Sequence, residues 1–156
     1  MKREMIRHDR ALSEERAYEL LDEATFATLA LVDEDGEPYS VPKSYARIGN
    51  KLYIHGSKKL GHTKAALQHE KRASLSVVLN NVVDPAHFTT SFESVIAFGE
   101  MEIVTDVDEA KAGLMALIEK YSPDFLEEGR AYIERAQKAT EVYVFTIERL
   151  TAKKHD

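Results

Sequence analysis

Residues 25–55 constrain the fold most. Thr25 to Val32 has strand character, with aromatic Phe26, β-branched Thr28 and Val32, and apolar Leu29 and Leu31. Such a run reads as a strand. Asp33-Glu34-Asp35-Gly36 then turns the chain, with Gly36 able to take the left-handed conformation. Tyr39 to Ile48 reads as the returning strand, and Gly49-Asn50 turns the chain again. Lys51 to His55 forms a short third strand, setting Leu52 and Ile54 against Tyr53 and His55. Strands joined by turns this short pair antiparallel, so the spacing predicts a three-strand meander.

Helical and strand signals alternate irregularly around this unit. Ser13 is a candidate N-cap for a first helix, with Ala17, Leu20, Leu21 and Ala24 at helical spacing. His62 to His69 reads as a short helix and Ala73 to Leu79 as a fourth strand. Asn80 to Thr90, with Pro85, reads as a long loop. Phe92 to Val104 is a long fifth strand, with Gly99 placed where a bulge would help a barrel curl. Asp106 and Glu109 form a D-x-x-E helix start, a variant of the capping box, before Leu114, Leu117, Ile118 and Tyr121. Pro123-Asp124 opens another helix, and Glu141 to Ile147 is a final strand. Strands outnumber the βα alternations of a doubly wound sheet, so the expected fold is a small, mostly antiparallel barrel with helices packed outside. The 156 residues contain no repeat or linker and are read as one domain, 1–156.

Composition removes several kinds of chemistry. The absence of cysteine excludes disulfides, thiolate nucleophiles and cysteine-ligated metal. A net charge of −6, with the basic pairs at 58–59, 71–72 and 153–154 short and separated, argues against a nucleic-acid partner. No run approaches the ~20 apolar residues that span a bilayer, and the first ten residues lack the apolar core of a secretory signal. No membrane partner and a cytoplasmic location are therefore expected. There is no G-x-G-x-x-G, no P-loop, no G-x-S-x-G and no H-E-x-x-H; Ala73 stands where the second histidine would follow His69-Glu70. His55, His62 and His69 recur at intervals of seven. Surface or anion-contact roles are commoner for such histidines, and no metal site is expected.

Two stretches carry positive signals. Tyr53 to Lys64 combines a strand end, a glycine-containing loop and a helix start. Such loops expose backbone N–H groups, and a helix N-terminus adds partial positive charge. Ser57 and Thr63 add hydroxyls; Lys58, Lys59 and Lys64 add charge in an otherwise acidic chain. A phosphate-monoester grip and a solvated basic loop both fit these residues. The second stretch is Gly36 to Tyr45. Pro42 removes a ladder donor there, so the strand is an edge or irregular. It could offer backbone groups to a planar heterocycle or be a twisted edge alone.

Arg7-x-Asp9-Arg10, Thr28-Leu29-Ala30, Asp35-Gly36-x-Pro38-Tyr39-x-x-Pro42, Leu52 to Ser57, Phe88-Thr89-Thr90, Glu93-Ser94-Val95 with Phe98-Gly99, and Ile147-Glu148-x-x-Thr151-x-Lys153 occur in that order. In this order and spacing the chain resembles the FMN-binding split-barrel proteins related to pyridoxamine 5′-phosphate oxidase, and within them the nitroimidazole-resistance branch. The resemblance implies a six-stranded antiparallel split β-barrel with flanking helices, a homodimer, and FMN at the dimer interface. It implies that the flavin ring lies along Val41, Pro42, Lys43, Ser44 and Tyr45. The phosphate is implied near His55, Gly56 and Ser57 and the basic residue of the following helix. The loop is one residue longer than the common form and Ala27 replaces a frequent glycine. The basic position aligned from Gly61 therefore falls on Thr63, with Lys64 next, and the phosphate contact lies among Lys58, His62, Thr63 and Lys64. The partner subunit is implied to close the site with the Phe88–Ser94 stretch, including Thr90 and Ser94.

The function so implied is a flavin reductase, passing electrons from a nicotinamide to a small-molecule acceptor such as a nitroaromatic. Lys43, Ser44 and His55 are the candidates for tuning the ring, and no catalytic acid or base is named. A non-catalytic flavin or haem binder, and a dimerisation domain without cofactor, are the alternatives.

Overall fold

The computed structural model describes residues 3–156. Along strand β1 (Ala27–Val32), Ala27, Leu29 and Leu31 are buried while Thr28 and Val32 are exposed. This period-two split puts one face of the sheet in the core. β1 pairs with β2 (Pro38–Lys43) on one side and β5 (Arg72–Asp84) on the other. β3 (Ala46–Ile48) pairs only with β4 (Lys51–Ser57), which pairs with the last strand, β7 (Thr140–His155). With β6 (Thr89–Ile103) between β5 and β7, the seven strands run β2-β1-β5-β6-β7-β4-β3, all antiparallel.

The expected three-strand meander does not form. The stretch read as a single strand, Tyr39 to Ile48, is two strands at opposite edges of the sheet. Only Ser44 and Tyr45 separate them, and three residues of chain reach at most ~11 Å. The two edges must therefore approach each other there, so the sheet is rolled into a barrel whose seam is not hydrogen-bonded. Pro42 sits in an edge strand, as its missing N–H requires. The hydroxyl of Tyr121 ties the seam: it accepts the Tyr45 N–H at 3.1 Å and donates to the Thr25 carbonyl at 2.7 Å. The family barrel is thus present with seven strands rather than six.

Two other expectations are corrected. Asn80 to Thr90 is not a loop; most of it extends the β5–β6 hairpin, with a register shift between Leu79 and Val82 and Asn80 at φ +53°. The final strand runs on to His155, because it pairs with β4 over residues 140–146 and with β6 over residues 143–155. Gly99 lies where β6 slips register against β7, and a Cβ there would overlap the Thr146 carbonyl.

Helix α1 (Glu14–Glu23) starts at Ser13, whose Oγ accepts the Arg16 N–H at 3.1 Å. Its apolar face, Ala17, Leu20 and Leu21, plugs the barrel against Leu29, Leu52, Ile54, Leu75, Val95, Met101 and Phe145. Arg16 reaches the nearly buried Glu93 on β6 at 3.0 Å, and Asn80 donates to the same carboxylate at 2.6 Å. A second core lies outside β4 and β7, where α3 (Val107–Tyr121) and α4 (Leu126–Ala136) bury Leu114, Leu117 and Ile133 against Ala46, Tyr53, Val142 and Val144. β4 is covered on both faces, so it lacks apolar–polar alternation. Gly113 lets α3 cross directly over Tyr53, whose ring would be 2.6 Å from any Cβ. The capping box at α3 is half formed. Asp106 accepts the Asp108 N–H, but Glu109 turns away to the Tyr53 hydroxyl at 3.0 Å.

Candidate functional site

Helix α2 (His62–His69) begins straight after the lysine-rich loop. Its N-cap, Gly61, is extended and offers no side-chain cap. The N–H groups of the first turn are therefore open to an outside acceptor. Before them, Ser57 Oγ accepts the Lys59 N–H at 3.1 Å, which folds the loop back on the end of β4. Lys58 and Lys59 project into solvent.

Lys64 is differently placed. Its Nζ donates to the Lys58 carbonyl at 3.0 Å and pairs with Glu141 at 3.1 Å, and both side chains are largely covered. Its charge is thus already matched, and it also holds the loop in shape. Thr63 points into the barrel wall and is nearly buried, with Ala66 and Leu67. His62 is exposed; its ring stacks on Tyr39 at 3.9 Å and 4°, with Asp33 4.0 Å away. This stack joins the start of α2 to β2, so the two stretches singled out in the sequence lie side by side.

On β2, Val41 and Lys43 are half-buried, and Pro42 and the following Ser44 are exposed. Tyr45 is the exception: its ring is fully buried, its hydroxyl donates to the Leu21 carbonyl, and Tyr121 takes its N–H. Burial pushes its phenol well above the usual range. Beside it, Lys120 lies 3.9 Å over the Tyr45 ring with no hydrogen-bond partner among the described residues, and burial lowers its ammonium to about 8. At the end of β4, His55 is exposed and Gly56 is half-buried opposite Glu141, where a Cβ would touch the Tyr143 ring at 3.4 Å.

Thr90 and Ser94 are not brought to this groove within one chain. They lie on β6, three strands from β2 in the sheet. The Thr90 carbonyl accepts from His155, while Ser94 borders a cavity of about 210 Å³ with Ile96, Phe98 and Arg149. Arg149 stacks over Phe98 at 4.0 Å, and its Nε has no partner among the described residues. The outward row Pro42, Thr28, Ser76, Ile96 and Thr151 runs across five strands and is exposed or half-exposed. Beyond it the β5–β6 arm exposes Val78, Val82, Val83 and Phe88. Sequence reasoning missed Glu141 and the Tyr39–His62 stack. Tyr39 stood in a quoted motif, but Glu141 faces Gly56 only through the long-range β4–β7 register. Among the described residues no cluster of histidine and acidic side chains could hold a metal ion, and no helix is long and apolar enough to cross a membrane.

A family model described as pyridoxamine 5′-phosphate oxidase matches residues 13–154. Among curated proteins no significant match is found. Similar solved structures include a candidate 5-nitroimidazole antibiotic resistance protein from Bacteroides thetaiotaomicron, 21% identical, with TM-score 0.79 over 92% of this chain and 86% of that one. The flavocytochrome Anf3 from Azotobacter vinelandii is 24% identical, with TM-score 0.82 over 98% and 72% of the two chains. An FAD and haem binding protein from Mycobacterium smegmatis is 29% identical, with TM-score 0.79 over 92% and 72%.

Proposed function

The chain belongs to the pyridoxamine 5′-phosphate oxidase family, and on that premise we propose that it is a flavin-binding protein that works as a homodimeric reductase with FMN. The observation that carries this reading is the uncapped first turn of α2 beside the Ser57–Lys59 loop, set against the edge strand β2. The donor set fits a phosphate monoester: backbone N–H groups, a hydroxyl and two solvent-facing ammonium groups. Lys64 supports the grip from behind by fixing the Lys58 carbonyl. Val41, Pro42, Lys43 and Ser44 would border the flavin ring, and Lys43, Ser44 and His55 are the groups within its reach that can donate a hydrogen bond.

A bound flavin would supply the electron transfer itself, from a nicotinamide to a small acceptor such as a nitroaromatic. The protein's part is to bind, orient and partly shield the ring. One chain leaves that shielding incomplete, since the groove beside β2 opens onto the outward row that includes Thr28, Ser76 and Ile96. A second copy seated on that row would cover it and bring its own Thr90 and Ser94 to the groove. The exposed apolar arm Val78, Val82, Val83 and Phe88 supports this, because isolated monomers rarely leave such a patch uncovered.

A non-catalytic flavin or haem binder is the second reading, favoured by the likeness to the FAD and haem binding protein. A visible spectrum of the purified protein before and after FMN addition, followed by stopped-flow mixing with NADH and NADPH, separates the two. Flavin absorbance that bleaches on mixing supports the reductase. A Soret band, or flavin that does not bleach, overturns it.

A further inference from the structure

The loop that carries Lys58 has a second side. There Lys58 borders a cavity of about 340 Å³ between β7, the start of α3 and the 3-10 turn Gln137–Ala139. This is at the small end of ligand-sized pockets, which are ~300–1,000 Å³ and mostly apolar with a few placed polar groups. Val104, Val107, Ala110, Leu114 and Val142 line it. Leu114 and Val142 form its buried floor, and Val107 is 56% exposed at its mouth. The polar groups sit on the rim: Lys58, Lys138, Gln137 and Thr140.

The rim charges are unequal in their freedom. Five lysines form ion pairs among the described residues, at 51, 64, 71, 111 and 154; Lys58 and Lys138 are not among them. The two carboxylates at the cavity are already engaged. Glu141 pairs with Lys64, and Asp106 accepts the Asp108 N–H at the start of α3. The offer is an aliphatic slot edged by two lysines outside any ion pair and by the Asp106 carboxylate, which keeps its charge while capping α3. A flat heterocycle with apolar faces and a polar edge, carrying a phosphate chain, matches that offer. Gln137 can donate to and accept from a ring edge. Thr140 spends its hydroxyl proton on the Ala136 carbonyl, so its oxygen is left as an acceptor.

We infer that this cavity receives the adenosine diphosphate end of a dinucleotide, with Lys58 shared between it and the loop on the α2 side. The inference rests on reading that loop as a phosphate grip. It deepens that reading by giving the chain room for more than a mononucleotide. The same moiety ends both FAD and the nicotinamide dinucleotides.

Titration calorimetry with ADP on the full-length protein tests the cavity directly. Two variants accompany it: Ala110→Phe, which fills the slot, and Lys138→Glu, an exposed site whose change leaves packing intact. Saturable ADP binding that weakens roughly tenfold or more in each variant is expected. No ADP binding, or binding that both variants leave unchanged, overturns the inference. Parallel titrations with FMN and FAD, read by flavin fluorescence, identify the source. Wild-type preference for FAD that both variants abolish assigns the adenosine end to the flavin. Equal FMN and FAD affinity, with NADH competing against ADP on the FMN-loaded protein, assigns it to the nicotinamide. Failure to bind either flavin while ADP still binds sinks the flavin reading and leaves the cavity standing.

Discussion

Replacing Glu141 by Gln should tighten FMN binding, and the structure gives the size. Glu141 lies 3.1 Å from Lys64 Nζ, and its side chain is largely covered. A phosphate seated in the loop in front of Lys64 is taken at ~6 Å from the carboxylate. Between the dielectric response of water and that of a protein surface, unit charges at ~6 Å repel by ~0.7–2.8 kcal/mol. We take about 1 kcal/mol after screening, or roughly a fivefold lower Kd. Gln keeps the shape of Glu, and Lys64 keeps its bond to the Lys58 carbonyl. Lys64→Ala should act oppositely, loosening the loop and weakening FMN several-fold. Flavin fluorescence quenching at low and high salt reads both variants, and the gain in Glu141→Gln should shrink as salt rises. If Glu141→Gln weakens FMN as much as Lys64→Ala does, the ion pair is only a strut. The electrostatic argument is then refuted.

Three further outcomes follow from the fold. Gly99→Ala places a Cβ on the Thr146 backbone oxygen, which cannot swing aside; a loss of ~3 kcal/mol or more is expected, read as a fall in Tm of about 6–12 °C. Tyr121→Phe leaves the Tyr45 N–H and the Thr25 carbonyl without their partner at the seam and should cost ~1–3 kcal/mol in urea unfolding. Arg16 holds the Glu93 carboxyl below its ordinary 4.5 in the folded chain. Its contribution is therefore fully present above about pH 4.5 and is lost as pH falls through the lower folded value. Glu93→Gln should flatten the acid limb of a stability–pH curve, and an unchanged limb would show that other carboxylates set it.

The sequence made most elements legible and the pairings much less so. Ser13, Gly36, Gly49 and Gly99 announce local events, a cap, two turns and a bulge, and local chemistry decides them. The meander failed because Ser44-Tyr45 carries no glycine, asparagine, aspartate or proline to mark a break. Its cause is distant: β1 pairs onward with β5 and β4 with β7, which draws the two hairpins to opposite ends of the sheet. Asn80 to Thr90 reads as a loop because of Asn80-Asn81 and Pro85, and in the structure its valines are exposed on the hairpin arm. At the site, the two stretches that the resemblance singled out, on β2 and at α2, adjoin through the Tyr39–His62 stack. The resemblance could not show that Lys64 is matched by Glu141, nor that Tyr45 belongs to the core. Both facts depend on residues far along the chain.

The strand order also fixes a sequence of events during synthesis. The β1–β2 hairpin can find its neighbour only when β5 has emerged, and the β3–β4 hairpin only when β7 has. The wait is short for the β1–β2 hairpin, whose partner strand begins at Arg72, and long for the β3–β4 hairpin, whose partner strand begins at Thr140. During that wait both edges of each hairpin are unpaired, which is the state most open to misassembly. The groove between β2 and α2 meets that late strand through Glu141, the partner of Lys64, so its charge balance is complete only once β7 is in place.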